Sequence, residues 1–582
     1  MLRPTLFAAL ACLLMLTLAA RAAMAATISV STTSQLTNAI NSVSPGDTIE
    51  LAAGASFNYA GVTRLTCDVD GTASNPITVR GLPGSTMTWT HSSNYVEGFV
   101  VTGKHWIFED LDITGTCSNH NYCEHAFHVQ GDADFFVMRR CVIKNFNAQI
   151  KSNIGGGQFP DDCLLEHNEF YNTGGRQTSA PVTPANIDGG ERWIVRNNYF
   201  HDAWKDGGNT ISYQTFMKSN GADGIYEGNL IACSVLHSGG VRIGMSFGGG
   251  GTSPDSVCGQ GTCNPEHRRG IMRNNVIINC AAIGIYLNEA QDTKIYNNIL
   301  YNTDGIDVRF ATSTADIRNN IIAGGDISDR DGGSSTSGSN WLTSTAVAAS
   351  AFVDAAGGDF RLSGDSSQRS NFINAGVSLS QVTNDFCRRS RSSPHDIGAV
   401  DYSQGACDTS NPLAVTGPTG GAGAQQGASV QSKSTPVMSP TATYVTVAGS
   451  GFALIAVAVI ALAVLVRSRR RRARAAAARD SDAAALELVA WGIAPTDAMP
   501  ESEGKAPTLP PPAAPSLPPP PAPATVATHR TLLYAFAGTA ADELACAAGD
   551  QVEVLEEFDD GWCSARNIAT GATGALPLNY LQ

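Results

Sequence analysis

Lys218 and Arg242 are the two cations whose spacing points to chemistry. Lys218 stands in Phe216-Met217-Lys218-Ser219-Asn220 and Arg242 in Gly239-Gly240-Val241-Arg242-Ile243-Gly244, 24 residues further on. A lysine and an arginine held together can neutralise a carboxylate, take a proton from the neighbouring carbon and assist a departing oxygen. Those tasks make up a β-elimination on a uronic acid polymer. Gly240-Val241-Arg242 aligns with Gly284-Ile285-Tyr286 and Gly305-Ile306-Asp307, so Lys218, Arg242, Tyr286 and Asp307 are expected to form one exposed column. Outward cations also serve solubility, and a face that only binds sugar would present the same column. His201, Asp202, Lys205 and Asp206 cluster too, with His237 near Arg242, and are read as solvated loop residues. Zinc-ligand spacing, a nucleophile elbow and a phosphate loop are absent from the sequence.

A column of side chains needs an element that returns at a fixed interval. Such a return is visible in Arg196-Asn197-Asn198-Tyr199-Phe200, Arg273-Asn274-Asn275-Val276-Ile277, Tyr296-Asn297-Asn298-Ile299-Leu300 and Arg318-Asn319-Asn320-Ile321-Ile322. His167-Asn168 and Gly228-Asn229 are weaker copies. The last two steps between second asparagines are 23 and 22 residues. A unit of that length with short β-branched runs is one coil of a parallel β-helix, in which asparagines at the same turn can stack in a ladder. Longer steps imply loops inserted at corners.

On these motifs, most of Ala26–Tyr402 resembles the right-handed parallel β-helix proteins of the pectate lyase-like kind. Leu36–Leu51 resembles their first coil. Phe352-Val353-Asp354, Gly358-Asp359-Phe360-Arg361-Leu362 and Asp396-Ile397-Gly398-Ala399 resemble their closing segment. The Lys218-Ser219 motif, followed by the Arg242 strand, resembles the chondroitinase-B/alginate lyase family. That resemblance implies Lys218 as base and Arg242 as assistant to the leaving group or the carboxylate. It also implies acidic calcium ligands just upstream of the lysine, yet Thr210–Phe216 contains no Asp or Glu. No cofactor is therefore expected. Calcium would have to draw oxygens from Asn186, Asp188 or Glu227 on other coils.

Over 582 residues the formal charge is −14, which argues against nucleic acid as a partner. Met1–Ala25 reads as a signal peptide. Val445–Val466 is 22 uncharged, apolar residues followed by Arg467, Arg469, Arg470, Arg471, Arg472, Arg474 and Arg479, the pattern of a single transmembrane helix with its C-terminal side in the cytoplasm. The expected layout is signal peptide 1–25, β-helix ectodomain 26–407, Ser/Thr/Gly/Pro-rich stalk 408–443, transmembrane helix 444–466, Arg-rich and Pro-rich linker 467–528, and a small β-barrel 529–582. The ectodomain cysteines face an oxidising compartment, and Cys117–Cys123, Cys258–Cys263 and Cys387–Cys407 are the pairs suggested by close spacing. Eleven is an odd number, so at least one thiol there stays out of an intrachain pair.

The last 54 residues resemble an SH3 domain. Leu533-Tyr534-Ala535-Phe536, Asp542-Glu543-Leu544, Gly549-Asp550, Asp559-Asp560-Gly561-Trp562 and Ala575-Leu576-Pro577-Leu578-Asn579-Tyr580 carry the likeness. It implies that Tyr534, Phe536, Trp562, Pro577, Asn579 and Tyr580 grip a polyproline II ligand, and that Asp542, Glu543 and Asp560 attract a basic residue beside a PxxP motif. The fold class is all-β. The leading expectation is a plasma-membrane, single-pass type I receptor that binds extracellular polysaccharide or matrix and recruits Pro-rich cytosolic proteins. The alternative is a membrane-tethered polysaccharide lyase.

Overall fold

A computed structural model of the chain describes residues 25–249, 264–414, 528–532, 544–557, 562–577 and 581. Residues 1–24 of the expected signal peptide, the expected pair Cys258–Cys263, the expected membrane span Val445–Val466 and the Pro-rich linker lie outside the described residues. Among those residues no helix is long and apolar enough to cross a membrane.

The Asn-Asn repeat is resolved into two roles. The first asparagine takes the left-handed conformation that turns the chain, with φ of 55° at Asn197 and Asn274, 52° at Asn297 and 58° at Asn319. Asparagine tolerates this region better than most residues. His167 and Gly228 occupy the same place in the weaker copies, with φ of 57° and 63°. The second asparagine is buried and bonds to its equivalent one coil away. Asn168 Nδ2 donates to Asn198 Oδ1 at 3.0 Å, and the ladder continues through Asn229, Asn275, Asn298 and Asn320 to Asn340.

Turns held in this way stack the strands on either side into parallel sheets. Among the described residues the β-helix has three long ones, with 12, 10 and 11 strands, and a short fourth of three strands. The chain visits each long sheet once per coil. In the twelve-stranded sheet, outward Glu50, Arg80, Glu109, Arg139, Glu166, Arg196, Glu227 and Arg273 lie in register and alternate in sign. Helix α1 (Thr33–Ser42) lies at the N-terminal end, where the sequence suggested a first coil. It is capped by the Thr32 hydroxyl, which accepts from Gln35 N–H at 3.3 Å, and it buries Leu36, Ala39 and Ile40. Inside the coils, aromatic rings stack from one turn to the next, as in Phe99 on Phe127 and Phe170 on Phe200.

The C-terminal segment lies along the outside of the eleven-stranded sheet. Helix α2 (Thr345–Ala351) and the antiparallel pair Phe352–Asp354 and Asp359–Leu362 begin it. Phe352, Phe360, Phe372, Ile397 and Val400 form a second core with Leu230, Val276, Ile299 and Ile321 of the coils. The fold continues past Cys407: Thr409 is buried, and its hydroxyl accepts from Phe360 N–H at 3.0 Å. Disulfides join Cys117–Cys123 and Cys387–Cys407 as expected, and Cys233–Cys280, whose 47-residue separation hid it. Cys67, Cys141 and Cys163 are buried thiols.

The C-terminal module is a separate antiparallel sheet of Thr528–Thr531, Gln551–Glu557, Trp562–Asn567 and Thr573–Pro577. Leu544, Val552, Val554, Ala565 and Leu576 fill its core.

Candidate active-site groove

Six strands of the ten-stranded sheet build the site: β1 (Ala148–Asn153), β2 (Ala185–Asp188), β3 (Ile211–Lys218), β4 (Val241–Phe247), β5 (Ile285–Asn288) and β6 (Gly305–Arg309). Alternation sends Ile150, Ile187, Met217, Phe247 and Leu287 inward and leaves the residues between them on the outer face. The register aligns Lys151, Asn186, Phe216, Ser246, Tyr286 and Asp307 in one row. A second row contains Asp188 beside Lys218, and then Asn288, Arg309 and Arg330. Between these rows and the loops on one side lies a groove of about 420 Å³, lined by Tyr213, Phe216, Ile243 and Tyr286 and by Lys205, Lys218, Arg309 and Arg330.

Arg242 does not stand in this column. Its strand partner is Ser212, and it is 0 % exposed. Its guanidinium donates to the carbonyls of Cys233, His237 (2.9 Å) and Gly239 (2.8 Å), lies 3.8 Å from Asp202 and covers the Trp204 ring. Asp202 accepts from the N–H groups of Val235, Leu236 and His237. The two side chains thus hold both polarities of one loop backbone, and Arg242 is not among the residues that line the groove. Tyr286 and Asp307 are register partners as expected, but their row continues through Ser246 and Phe216 rather than Arg242 and Lys218, and both are buried rather than exposed. His201 is likewise a packed residue, bonded to Asp202 at 2.7 Å and to Glu169 at 3.2 Å between the rings of Tyr171 and Tyr199.

Lys218 is 7 % exposed, and its ammonium lies 3.5 Å from Asp188 Oδ1 and over the Phe216 ring. Lys151 bonds the other oxygen of Asp188 and Asn186 Oδ1 at 3.1 Å. Burial alone would raise the Asp188 carboxyl, but the two ammoniums outweigh it and hold the group below the ordinary carboxylate range. Burial draws Lys151 below the usual lysine value against the pull of Asp188.

The turn after Lys218 is strained. Ser219 and Asn220 both have φ of 63°, where the preceding coil uses Gly189 and Gly190 after Asp188. Asparagine tolerates this region, but a serine there costs on the order of 1–3 kcal/mol and persists only when its surroundings impose it. Ser219 N–H donates to Glu266 Oε2 at 2.7 Å, and its hydroxyl donates to Asp188 Oδ1 at 3.3 Å. Arg268 donates to Asn220 Oδ1 at 2.6 Å. Burial pushes the Glu266 carboxyl up to about 7, against the Ser219 N–H that favours its charge. Glu266 and the strained turn escaped sequence analysis. The Ser-Asn pair opposite Gly-Gly was the available signal, legible only with the register known.

The residues named for calcium do not fit it. Lys151 already occupies the space between Asn186 and Asp188. Glu227 belongs to another sheet and is paired with Arg273 at 3.0 Å. Among the described residues there is no group of three or more His, Cys, Asp or Glu side chains suited to a metal.

In the C-terminal module, Trp562 and Pro577 are cross-strand partners in the backbone register. Tyr534, Phe536, Asp542, Glu543, Asp560, Asn579 and Tyr580 lie outside the described residues.

Residues 533–582 match the family described as a variant SH3 domain, and residues 253–343 match the family described as periplasmic copper-binding protein (NosD). Among solved structures, pectate lyase Pel9A is similar at 17% identity and a TM-score of 0.45, over 62% of this chain and 90% of that one. An alginate lyase from Paenibacillus sp. str. FPU-7 is similar at 17% identity and 0.35, over 55% and 98%. The GH136 lacto-N-biosidase from Eubacterium ramulus is similar at 9% identity and 0.34, over 55% and 67%. The chain is a parallel β-helix followed by a C-terminal antiparallel module, and it is the module's residues 533–582 that match the variant SH3 domain model.

Proposed function

We propose that the β-helix groove binds an anionic polysaccharide and that Lys218 cleaves it by β-elimination. The observation that carries this is a nearly buried lysine, held by Asp188 just before a strained turn, in the lining of a groove that also has Arg309 and Arg330. Tyr213, Phe216 and Tyr286 offer faces to the CH surfaces of sugars. Lys218, Arg309 and Arg330 are paired in the groove with Asp188, Asp331 and Asp307, and a uronate carboxylate competing for them has its charge balanced as it becomes an enolate-like dianion. Lys218, as the free amine, takes the C5 proton. The C–H electrons form the C4–C5 double bond, the C4–O4 bond breaks, and the Lys218 ammonium returns the proton to O4. No water is consumed. The products are an unsaturated non-reducing end and a new reducing end.

We also propose the type I arrangement, with the β-helix outside the plasma membrane and the SH3-like domain binding Pro-rich cytosolic partners. The disulfides of the β-helix support its place in an oxidising compartment. The domain limits 1–25, 26–407, 408–443, 444–466, 467–528 and 529–582 belong to the same proposal.

The test offers alginate, pectate and glycosaminoglycans to the purified protein and follows ultraviolet absorbance from unsaturated ends. Wild type should release product, Lys218→Ala none, and Arg309→Ala should raise KM by about tenfold, as expected for one lost charge-assisted contact. Binding without product in wild type would leave a polysaccharide receptor. Neither binding nor product would sink both readings.

A further inference from the structure

We propose that Lys205 forms a second anion subsite of the groove, which takes a carboxylate or sulfate ester on a sugar other than the one cleaved at Lys218. The inference rests on the proposed function for its ligand and on the geometry alone for the site. The sequence places Lys205 on a solvated loop, but the residue is 5 % exposed and lines the groove. Each other cation of that lining is paired with an acid, Lys218 with Asp188, Arg309 with Asp331 and Arg330 with Asp307. Among the described residues no carboxylate pairs with Lys205. Its ammonium donates to Asn209 Oδ1 at 2.9 Å, a neutral acceptor on an exposed residue. The neighbouring Asp206 carboxylate accepts from Gln177 Nε2 instead.

A buried ammonium with one neutral acceptor for its three donors is costly to the fold. The preceding coil shows how a structural cation is satisfied. Arg176, the bridge partner of Lys205, is also buried, but its guanidinium reaches Asn147 Oδ1 at 3.0 Å, His120 O at 3.2 Å and Cys123 O at 3.4 Å. Lys205 has no such cradle. Burial draws it below the usual lysine value, and no neighbouring acid opposes the shift. An arriving oxyanion supplies the missing charge. Gly208 lies against both Ser179 and the Lys205 ammonium, and Ser179, also in the lining, adds a hydroxyl. Asn209 Oδ1 accepts from Ile211 N–H at 3.1 Å as well, which holds the ammonium at the start of β3. The Lys218 ammonium lies over the Phe216 ring. From Ile211 to Phe216 the strand runs roughly 16 Å at about 3.3 Å per residue, more than one sugar ring spans.

The test uses the full chain and two readouts, thermal melting without ligand and calorimetric binding. The probes are a hexagalacturonate, whose anions are carboxylates, and a carrageenan hexasaccharide, whose anions are sulfate esters. Lys205→Met should melt at or above the wild-type temperature, because an uncompensated ammonium is gone. It should bind about tenfold more weakly whichever probe wild type binds, and that probe identifies the oxyanion. Lys205→Arg should keep most of the affinity, and Lys144→Met, on the eleven-stranded sheet, should keep all of it. Lys205→Met that binds as wild type does overturns the proposal, as does Lys205→Met that melts lower or fails to fold, since the ammonium would then be structural. Failure of both probes to bind wild type would count against the proposed function. Sodium sulfate then decides the role of Lys205: at matched ionic strength it should raise the melting point of wild type about 2 °C more than that of Lys205→Met, and equal shifts overturn the proposal.

Discussion

Arg242 and Lys218 are both buried cations, but one is bound to backbone and the other faces a groove. Removing Arg242 leaves the carbonyls of Cys233, His237 and Gly239 without their donor. Arg242→Ala should therefore cost about 3 kcal/mol, read as a lowered urea midpoint, while the folded protein binds polysaccharide as wild type does. An unchanged midpoint with lost turnover would return Arg242 to the chemistry. Glu266 makes a pH-dependent claim. Its folded value, about 7, is raised from 4.5, so the folded state holds the proton more tightly than the unfolded chain. Its contribution is full below the unfolded value and is lost as pH rises through about 7. Urea midpoints should fall between about pH 5 and about pH 8, and Glu266→Gln should flatten that part of the curve. Lys218 was singled out by its Lys218-Ser219 motif and its spacing from Arg242. The placement of Arg242 was not, because its coil is lengthened: Ser212 and Arg242, which pair, are 30 residues apart, so a 24-residue spacing falls six positions short of one turn.

At the scale of elements, two ladders fix the register that brings Asp188 to Lys218. The asparagine ladder was readable from its motif, since the left-handed turn and the stacked amide need the same residue type twice. Asn275 shows what each rung does. Its Oδ1 accepts from Asn229 N–H at 3.0 Å and Nδ2 at 2.9 Å, and its own Nδ2 donates to Tyr226 O and Asn298 Oδ1. Asn275→Leu is close in volume but leaves buried partners unmet on both neighbouring coils. It should lower stability by about 3 kcal/mol, whereas Asn340→Leu, at the half-buried end of the ladder, should cost less than half of that. Equal losses would show that the ladder contributes no cooperative support. The alternating charges of the twelve-stranded sheet carry the same spacing, but individual arginines and glutamates are too common to announce a register. That ladder emerges only after the coils are aligned.

For the whole molecule, the C-terminal segment decides whether the coils stay soluble. On the eleven-stranded sheet, early strands alternate, as in Val142-Ile143-Lys144 and Glu169-Phe170-Tyr171, where only the central residue is buried. Later strands are buried throughout: Leu230-Ile231-Ala232, Val276-Ile277-Ile278, Ile299-Leu300-Tyr301 and Ile321-Ile322-Ala323. A strand apolar on both faces must be covered on both. This change of pattern was present in the sequence and marks where the closing segment lies, although the motifs alone suggested only that a closing segment exists. Arg391 ties the segment down, donating to Asn274 Oδ1 at 2.7 Å and Gly398 O at 2.9 Å, and Asn319 Nδ2 donates back to Val377 O at 2.8 Å. A chain cut after Thr343 would expose the row Leu230, Val276, Ile299 and Ile321, a contiguous apolar surface of the kind that drives association. The expected result is aggregation with strong binding of a hydrophobic dye. Phe372→Asp in the intact chain should give a weaker version of the same behaviour, because a charge would enter the centre of the second core. A truncated chain that stays monomeric, dye-silent and able to bind polysaccharide would mean that the coils are stable alone and that the segment serves another purpose.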